Sequence, residues 1–544
     1  MKLRYILTLL LMLCICASRA DEGDTIRVTF NGGEAQVSIP SSAQVVANVE
    51  GAHVSLTSTT SIEEYVYALS GSTPDGSLTI TGTYKLTLLL QGVNITSGRG
   101  AAIDVECGKR IAVIVANGTE NWLTDCPTGV QKAALYFTGH PEFEGNGTLN
   151  VTGLVKHAIA AKEELKIKRS AGTINVLGAV GDGIHCGKGK ALNEHNYFEM
   201  NGGVVNITNI GGDGIDSDDF GTMYITGGSV NVNVSGESVS GLKSDSTMTI
   251  SGGHMNIMVD GNDSEGVRTN YDAHLLGGQM DIVVSGSGSK GIKSKDKSNG
   301  MVHEGGRLTL GGSNITIYSY GSDLMNADST ETKIRAISAD RTITRSAGDI
   351  EIFAYGSVHS PYHTDSTEVV TGGTLTIHRA PWPFYHGEFE HSMTAHVSAV
   401  LFSGLPILVS KDFAIGAFIQ GKCVGVATDG YLRIHNLTTE DDIVTFRGYD
   451  FSTGEYYRLA ANQPIRFSPY STIGGPSAME RIVLRARLQG DVNIDGSVSI
   501  ADVTALVNII LGKDEDEFGM ADVNEDGEVT IADVTTLVNI ILGR

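Results

Sequence analysis

Short runs in which apolar and polar residues alternate occur along most of the chain, separated by Gly, Asn, Asp and Ser. The alternation predicts β-strands, and the Gly clusters predict turns. Between Val180 and Lys297 a frame of Gly, an aliphatic residue, a variable residue and usually Ser, Thr or Cys recurs about every 25 residues. It alternates with Gly pairs that start at Gly202, Gly227, Gly252, Gly277 and Gly305. A repeat of this size has room for about three short strands and predicts a parallel β-helix.

Stacked repeats predict which side chains share a row. The aliphatic residues of the frames are expected to point inward: Ile159, Ile184, Ile215, Leu242, Val267, Ile292 and Met325. The residues that follow them then point outward: Ala160, His185, Asp216, Lys243, Arg268, Lys293 and Asn326. Neighbouring members of a row lie about 4.8 Å apart, so the outward row brings charged side chains within reach of one another.

Acidic side chains also stack under this alignment. Asp182 is expected over Asp213, and Asp218 over Asp245, with Asp216 close by. Ionised carboxylates at this spacing repel, so water screens them, Lys or Arg pairs with them, or a cation bridges them. Oxygen ligands favour calcium, and these five residues are the predicted calcium ligands of this region. Asp is also common in turns for purely structural reasons.

The basic members of the outward row have two interpretations. Lys243, Arg268 and Lys293, with His185 beside them, form a stripe that predicts contact with the carboxylates of an extended uronate chain. Alternatively, the stripe only neutralises the neighbouring acids. A lyase on such a chain needs a base and a cation that neutralises the substrate carboxylate, and Lys243 or Arg268 would be its catalytic residues.

Exposed aromatic rings are further candidates for sugar contact. Trp122 and the segment with Trp382, Phe384 and Tyr385 are the best placed for stacking on sugars. The alternative for the later segment is packing at a domain junction, because Pro381 and Pro383 mark a boundary there.

Composition narrows the class of protein. The 544 residues carry a net charge of −23, which argues against nucleic acid and anionic membranes as partners. Residues 1–20 have a basic start, an apolar run and a small-residue site, which predict a signal peptide cleaved near Ala20-Asp21 and a secreted or cell-surface protein. No later stretch is long and apolar enough to span a membrane. Cys107 and Cys126 are one plausible disulfide pair, and free thiols are the alternative for them and for Cys186 and Cys423.

After His378 the 25-residue repeat ends. Residues 379–487 contain about seven short strands and predict a β-sandwich. Residues 488–544 contain two copies of a calcium loop about 31 residues apart, each followed by an amphipathic helix. Oxygen ligands fall at loop positions 1, 3, 5, 9 and 12, with the carbonyl at position 7. These ligands are Asp491, Asn493, Asp495, Ser497, Ser499 and Asp502 in one loop, and Asp522, Asn524, Asp526, Glu528, Thr530 and Asp533 in the other.

Two family resemblances add to this interpretation. LLLQGVNITS, NGTENWLTD and GNGTLNVTG, together with the GDGI turns, resemble secreted bacterial carbohydrate-binding proteins with a calcium-containing right-handed parallel β-helix, a fold shared with pectate-type lyases. That resemblance implies binding of plant-cell-wall polysaccharide. Asp at position 12 of the tandem loops resembles the type I dockerin and implies a cohesin-like partner, although Ile500-Ala501 and Ile531-Ala532 stand where that family often has hydroxylic residues.

The predicted fold class is therefore an all-β right-handed parallel β-helix with three short strands per coil, then a β-sandwich, then a small α dockerin domain. The predicted domains are residues 21–378, 379–487 and 488–544. The predicted function is calcium-dependent binding of an acidic or cellulosic polysaccharide, without catalysis, by a protein that docks to a partner. The alternatives are a polysaccharide lyase on the same face and a surface adhesin that binds protein.

Overall fold

The computed structural model describes the chain from residue 24 with several gaps, and divides it into two compact units. The described residues are 24–187, 196–297, 305–321, 323–355, 360–379, 382, 391–401, 406–407, 413–427, 431–436, 442–475, 480–516, 520–524 and 526–542. The first unit comprises Met1–Ile317, Arg335–Ile352 and Ser360–Thr376, and the second comprises Tyr318–Ile334, Phe353–His359 and Ile377–Arg544. The predicted signal peptide, Phe384 and Tyr385 lie outside the described residues. Within those residues, no helix combines the length and apolar character that a membrane span requires.

The larger sheet has twenty strands, most of them paired in parallel with a copy about one repeat away. Its strands are Thr25–Asn31, Glu34–Ser38, Val66–Thr73, Leu86–Thr96, Arg110–Val115, Glu120–Thr124, His140–Gly153, Leu165–Ala179, Tyr197–Met200, Val204–Ile210, Thr222–Ile225, Ser229–Val234, Met248–Val259, Ala273–Val284, Leu308–Gly311, Asn314–Ser319, Ile343–Ala347, Asp349–Ala354, Glu368–Val370 and Thr374–Arg379.

The second parallel sheet has thirteen shorter strands. These are Val45–Glu50, His53–Ser58, Ser77–Thr81, Ile103–Glu106, Ala133–Phe137, His157–Ala161, Ile184–Cys186, Ile215–Ser217, Ser240–Ser244, Glu265–Thr269, Lys290–Ser294, Arg335–Ala339 and Tyr362–Thr364. The Gly-aliphatic frames of the sequence lie on these strands.

The Gly pairs that start at Gly252 and Gly277 bend strands of the larger sheet without ending their pairing. In the strand Met248–Val259, the register against Ala273–Val284 shifts around Ser251, and both halves remain paired. Gly253 at this bend has φ +93, and a Cβ there would lie 3.0 Å from the carbonyl oxygen of Gly228. Only glycine accepts both constraints without strain, so the bend joins two segments that the sequence pattern treated as separate strands.

The predicted stacking of side chains is confirmed for six of the seven frames. Register places Ile159, Ile184, Ile215, Leu242, Val267 and Ile292 in one row, and each of these side chains is fully buried. Met325 does not continue the row. It lies in a two-stranded antiparallel pair, Leu324–Met325 with Glu331–Thr332, and is 56% exposed. Ile337 takes the seventh place.

In the second unit, a ten-stranded sheet follows the boundary prolines. Its strands are His391–Leu401, Pro406–Ile407, Phe413–Ile419, Lys422–Ala427, Tyr431–Asn436, Ile443–Asp450, Tyr456–Ala461, Ile465–Arg466, Thr472–Ile473 and Ile482–Leu488. The first strand pairs with Tyr431–Asn436 through its N-terminal half and with Ile482–Leu488 through its C-terminal half. One strand thus connects what would be the two layers of a sandwich. Trp382 is buried in this unit and makes edge contacts with Phe418 and Tyr456.

Two short helices complete the second unit. Helix α1 is Ile500–Ile510 and helix α2 is Ile531–Ile541, and each begins with a capping box on Ser499 or Thr530. Leu506 and Leu537 are fully buried in the small core between the two copies.

The predicted fold class is therefore wrong. The described strands of the repeat region form two unequal parallel sheets rather than three equivalent strands per coil, so the right-handed parallel β-helix of the prediction does not describe it. The segment after it is one continuous sheet and not a β-sandwich. The two C-terminal helices are present where the sequence places them. The four cysteines among the described residues are buried and free, so Cys107 and Cys126 are not joined in a disulfide.

Candidate functional site

Charged side chains collect on the outward face of the thirteen-stranded sheet. Register stacks His185 on Asp216, Asp216 on Lys243, Lys243 on Arg268 and Arg268 on Lys293. The loops before these strands add a second line of charges. We use the name charged row for the following set: His157, Asp182, His185, Asp213, Asp216, Lys243, Glu265, Arg268 and Lys293. The predicted adjacency of acidic and basic residues is confirmed.

Asp182 lies between two stacked histidines. The rings of His157 and His185 are 4.3 Å apart and nearly parallel. The Asp182 carboxylate is 3.2 Å from His157 Nδ1 and 2.9 Å from His185 Nδ1. Burial alone would raise the pKa of Asp182, but the bonds to the two histidines outweigh it and hold this pKa below its usual range. Burial would lower the pKa of His185, yet Asp182 and Asp216 raise it to about 9.

Lys243 forms ion pairs with two acids of the charged row. Its Nζ is 3.1 Å from Asp213 Oδ2 and 3.2 Å from Asp216 Oδ1. Burial would lower the pKa of Lys243, but the carboxylates of Asp216 and Asp213 raise it above its usual range. Burial also raises the pKa of Asp213 to about 6, an effect that Lys243 only partly offsets. The amine is thus held protonated, which is the wrong state for the base of a lyase.

Asp218 and Asp245 form a pair of carboxyl groups beside this step. The two side chains are close enough for a hydrogen bond, and this contact shifts the pKa of each group in an opposite direction. Burial and the neighbouring Asp218 raise the pKa of Asp245 to about 6. Burial would raise the pKa of Asp218, but the hydrogen bond from Asp245 lowers it. Asn270 donates a bond of 2.6 Å to Asp245 Oδ1. Carboxylate oxygens are ligands that calcium prefers, so the two carboxyl groups are of the right type for a cation.

The later basic residues are paired with acids on their own sheet or nearby. Arg268 lies 3.5 Å from Glu265, which is only 2% exposed at its side chain. Lys293 is ion-paired with Asp340 and also bonds Ser338. Lys293 is 13% exposed and Arg268 is 17% exposed. The stripe is therefore largely occupied in neutralising acids, which the sequence had offered as its alternative role.

The first C-terminal loop folds around its acidic residues. Asp491 accepts backbone N–H bonds from Asp495 and Gly496, and Asn493 Oδ1 accepts the same Asp495 N–H. Asp502 accepts from Asn493 and Ser499, at 3.1 and 2.8 Å. Gly496 has φ +87 at the sharp turn, as position 6 requires. Burial and the neighbouring carboxylates raise the pKa of Asp491.

The second loop repeats these contacts residue by residue. Asp522 accepts from Asp526 and Gly527, and Asp533 accepts from Asn524 and Thr530 at 3.0 and 2.7 Å. Asp502 and Asp533 are both fully buried, and among the described residues neither forms an ion pair with Lys or Arg. A buried carboxylate without a counter-ion is costly. The donor set of both loops therefore fits calcium.

Sequence reasoning missed several members of the site. His157, Glu265, Asn270 and Asp340 were not among the predicted site residues. A further row was missed on the larger sheet. Its amides are hydrogen-bonded in series, with each Nδ2 donating 2.8 Å to the preceding Oδ1: Asn150, Asn175, Asn206, Asn231 and Asn256. We use the name amide ladder for these five residues. The recurrent Asn after each Gly pair was its signal in the sequence.

Comparisons with known proteins assign two parts of the chain. A family model described as carbohydrate-binding domain-containing protein matches residues 50–381. A model of the dockerin type I domain matches residues 489–542. A curated carbohydrate-binding domain-containing protein from Acetivibrio thermocellus is 28% identical over 139 residues, covering 24% of this chain and 48% of that protein. The chain thus spans about half the length of the curated relative that it matches.

One solved structure also aligns with this chain. It is described as the polysaccharide lyase-like protein from C. thermocellum, in a gadolinium derivative. The identity is 16%, and the match covers 66% of this chain and 97% of that chain, with a TM-score of 0.28. This TM-score is too low to support an argument about fold or function.

Proposed function

We propose that this chain, which belongs to the family of carbohydrate-binding domain-containing proteins, binds a plant-cell-wall polysaccharide outside the cell. Its C-terminal type I dockerin domain then attaches it to a partner protein. The predicted boundaries, residues 21–378, 379–487 and 488–544, remain our proposal for its domains. Secretion by the signal peptide of residues 1–20 is part of the same proposal.

The charged row is the proposed site for an acidic, pectin-like chain. The carboxyl pair Asp218–Asp245 beside this row supports the proposal, because neither carboxyl group forms an ion pair with Lys, Arg or His among the described residues. Lys243 already neutralises Asp213 and Asp216, and the histidines already contact Asp182. We therefore place calcium first at Asp218 and Asp245. A calcium ion there would present a positive charge to a uronate carboxylate, with Arg268 and Lys293 on the following strands.

Calorimetry with polygalacturonate tests this site in the full chain. We expect binding in calcium, and a loss of at least tenfold in affinity for the double variant Asp218→Asn/Asp245→Asn. Glu237→Gln is the matched control, because Glu237 is an exposed acid of the same region outside the pair. Equal affinity of wild type and double variant would remove calcium from this position, and no binding by wild type would exclude the acidic glycan.

Calcium in the two C-terminal loops is proposed from their oxygen ligands and from the buried carboxylates Asp502 and Asp533. Since metal binding and folding are coupled in small domains, chelation should unfold residues 489–542. We expect loss of helical circular dichroism from wild type on adding EDTA, and its return with calcium. The variant Asp502→Asn/Asp533→Asn should lack the calcium response. Calcium-independent helicity would contradict the proposal.

A cohesin-like protein is the proposed partner of the dockerin domain. Ile500 and Ile531 occupy equivalent positions at the two helix starts and are 73% and 72% exposed. Large apolar side chains that exposed are typical of an interface. Binding to a type I cohesin should require calcium and be lost in Ile500→Lys/Ile531→Lys. Retention of binding by this variant would move the interface elsewhere.

A further inference from the structure

An outward row of the larger sheet contains an exposed tryptophan followed by five uncharged amides, and the next position after them is Asp281. Register stacks Trp122 on Asn150, and then the amide ladder continues through Asn175, Asn206 and Asn231 to Asn256. At the strand spacing of about 4.8 Å, the row from Trp122 to Asn256 extends over roughly 24 Å. Trp122 is 41% exposed. Its ring makes no hydrogen bond or ring contact within the described part of the chain.

The amide ladder leaves hydrogen-bonding capacity unused. A carboxamide has two N–H donors and an oxygen with two lone pairs. In Asn206 and Asn231, one N–H donates to the preceding residue and one lone pair accepts from the next. The second N–H and the second lone pair of each have no partner among the described residues. Both side chains are half-buried and Asn256 is exposed, so these groups are available to a ligand.

A groove runs beside the last part of the ladder. It has a volume of about 390 Å³ and lies between two outward lines of side chains. One line is Asn206, Asn231, Asn256 and Asp281, and the other includes Asn233 and Met258. The carboxylate of Asp281 would repel a uronate. The groove therefore combines regularly spaced amides with apolar surface, which is the usual composition of a ligand site. The amides are uncharged, so the groove offers no ionic attraction to a uronate.

We propose that the row from Trp122 to Asn256, with its groove, is a binding track for a neutral, hydroxyl-rich polysaccharide. The tryptophan ring would lie against the C–H face of a sugar, and the free amide groups would donate to and accept from hydroxyls of successive sugars. Because the strands repeat, each ring of the polymer meets an equivalent amide. The inference rests on the proposed polysaccharide binding and adds a second site and a second class of glycan.

A purely structural role for the row makes a different prediction. Asparagine ladders stabilise stacked strands by themselves, but such a role needs neither an exposed tryptophan nor an open groove. The test therefore uses substitutions that leave the ladder bonds intact. Trp122→Ala removes the ring, and Asn233→Trp fills the groove from an exposed position without a ladder bond.

Calorimetry of the full chain with cellohexaose, xylohexaose and mannohexaose, and in parallel with polygalacturonate, gives the answer. We expect wild type to bind at least one neutral hexasaccharide, with affinity reduced about tenfold or more in Trp122→Ala, the size of effect that one aromatic contact supplies. Asn233→Trp should reduce it similarly, and Trp122→Tyr should retain most of it. Tyr224→Ala is the matched control, since Tyr224 is equally exposed at 41% on the same sheet.

Each outcome decides between the two sites. Neutral binding that both variants retain, or no neutral binding at all, overturns the track. Loss of polygalacturonate binding in Trp122→Ala, without neutral binding, would mean that the row takes an acidic glycan and would overturn the neutral class. Neutral binding lost in both variants, together with no binding of polygalacturonate, would support the track while the proposal for the charged row fails.

Discussion

The charged row and the amide ladder both place polar side chains one strand spacing apart, but they pair these side chains in different ways. Both consist of outward side chains stacked at strand spacing on parallel strands of the first unit. The charged row contains both acids and bases, so that Lys243 contacts Asp213 and Asp216 and His185 contacts Asp182. The amide ladder repeats one residue type and bonds each copy to the next.

The difference lies in what remains for a ligand. A buried ionised side chain needs an opposite charge nearby, so the charges of the charged row are used by acidic or basic neighbours and are mostly buried. A carboxamide is both donor and acceptor, so identical copies stack and still keep one donor and one acceptor outward. We infer that the charged row contributes mainly stability and cation affinity, whereas the amide ladder offers the more open surface for a neutral glycan.

Removing the ammonium group of Lys243 should destabilise the charged row. Lys243→Met leaves Asp213 and Asp216 without their shared counter-ion, and breaking a buried pair by removing one partner costs about 3 kcal/mol. We expect the free energy of unfolding at pH 7 to fall by about this amount. Urea denaturation in a Trp382→Phe background measures it, because the chain has two Trp and Trp122 then reports on the first unit alone.

Two further measurements sharpen this result. The double variant Lys243→Met/Asp213→Asn carries one stranded carboxylate fewer and should recover part of the loss. Calcium at millimolar concentration should stabilise Lys243→Met more than wild type, because the vacated carboxylates then compete for the cation. A fall in the free energy of unfolding of less than about 1 kcal/mol, the range of exposed ion pairs, would show that water already screens the ion pairs of Lys243 with Asp213 and Asp216.

The stacking register of the first unit was predictable because it depends on a short local rule. A Gly fits where two strands approach closely, and the aliphatic residue after it must be buried, as Ile184 and Ile215 are. The rule fails at Met325, where a segment with its own antiparallel pair interrupts the period. Ile337 resumes the row after Ala336, without the Gly that precedes the five members from Ile184 to Ile292.

Sheet number and pairing partners were not predictable from the same pattern. A Gly pair signals a turn equally well whether the strand ends there or continues in the same sheet, and the register around Ser251 shows the second case. Long side chains add a second uncertainty, because Lys243 reaches acids 27 and 30 residues earlier in the chain. In the dockerin domain, by contrast, both loops and caps are local in sequence, and their contacts follow the predicted positions.

Interrupting the amide ladder should cost less than breaking the charged row. Asn231→Ala removes the bonds to Asn206 and from Asn256, but both partners are partly exposed and can bond water instead. We expect the free energy of unfolding to fall by about 1–2 kcal/mol. Asn233→Ala is the control on the same strand, outside the ladder, and should change stability by less than about 0.5 kcal/mol. Equal effects of the two substitutions would deny the ladder a structural role.

The smallest expected effect is on the pH dependence of stability, to which the charged row should contribute and the amide ladder should not. Burial lowers the pKa of His185, but Asp182 and Asp216 raise it to about 9, above the ordinary value of about 6.5 in an unfolded chain. A group whose pKa is raised by folding stabilises the protein fully below its unfolded pKa and loses that contribution as the pH rises through its folded pKa. Between pH 7 and 8 the expected loss is about 1 kcal/mol, measured by urea denaturation of the first unit.

His185→Gln should flatten this slope, and Asn231→Ala should leave it unchanged because no amide of the ladder titrates. A slope that persists in His185→Gln would assign the titration to another group and remove the protonated histidine from the charged row.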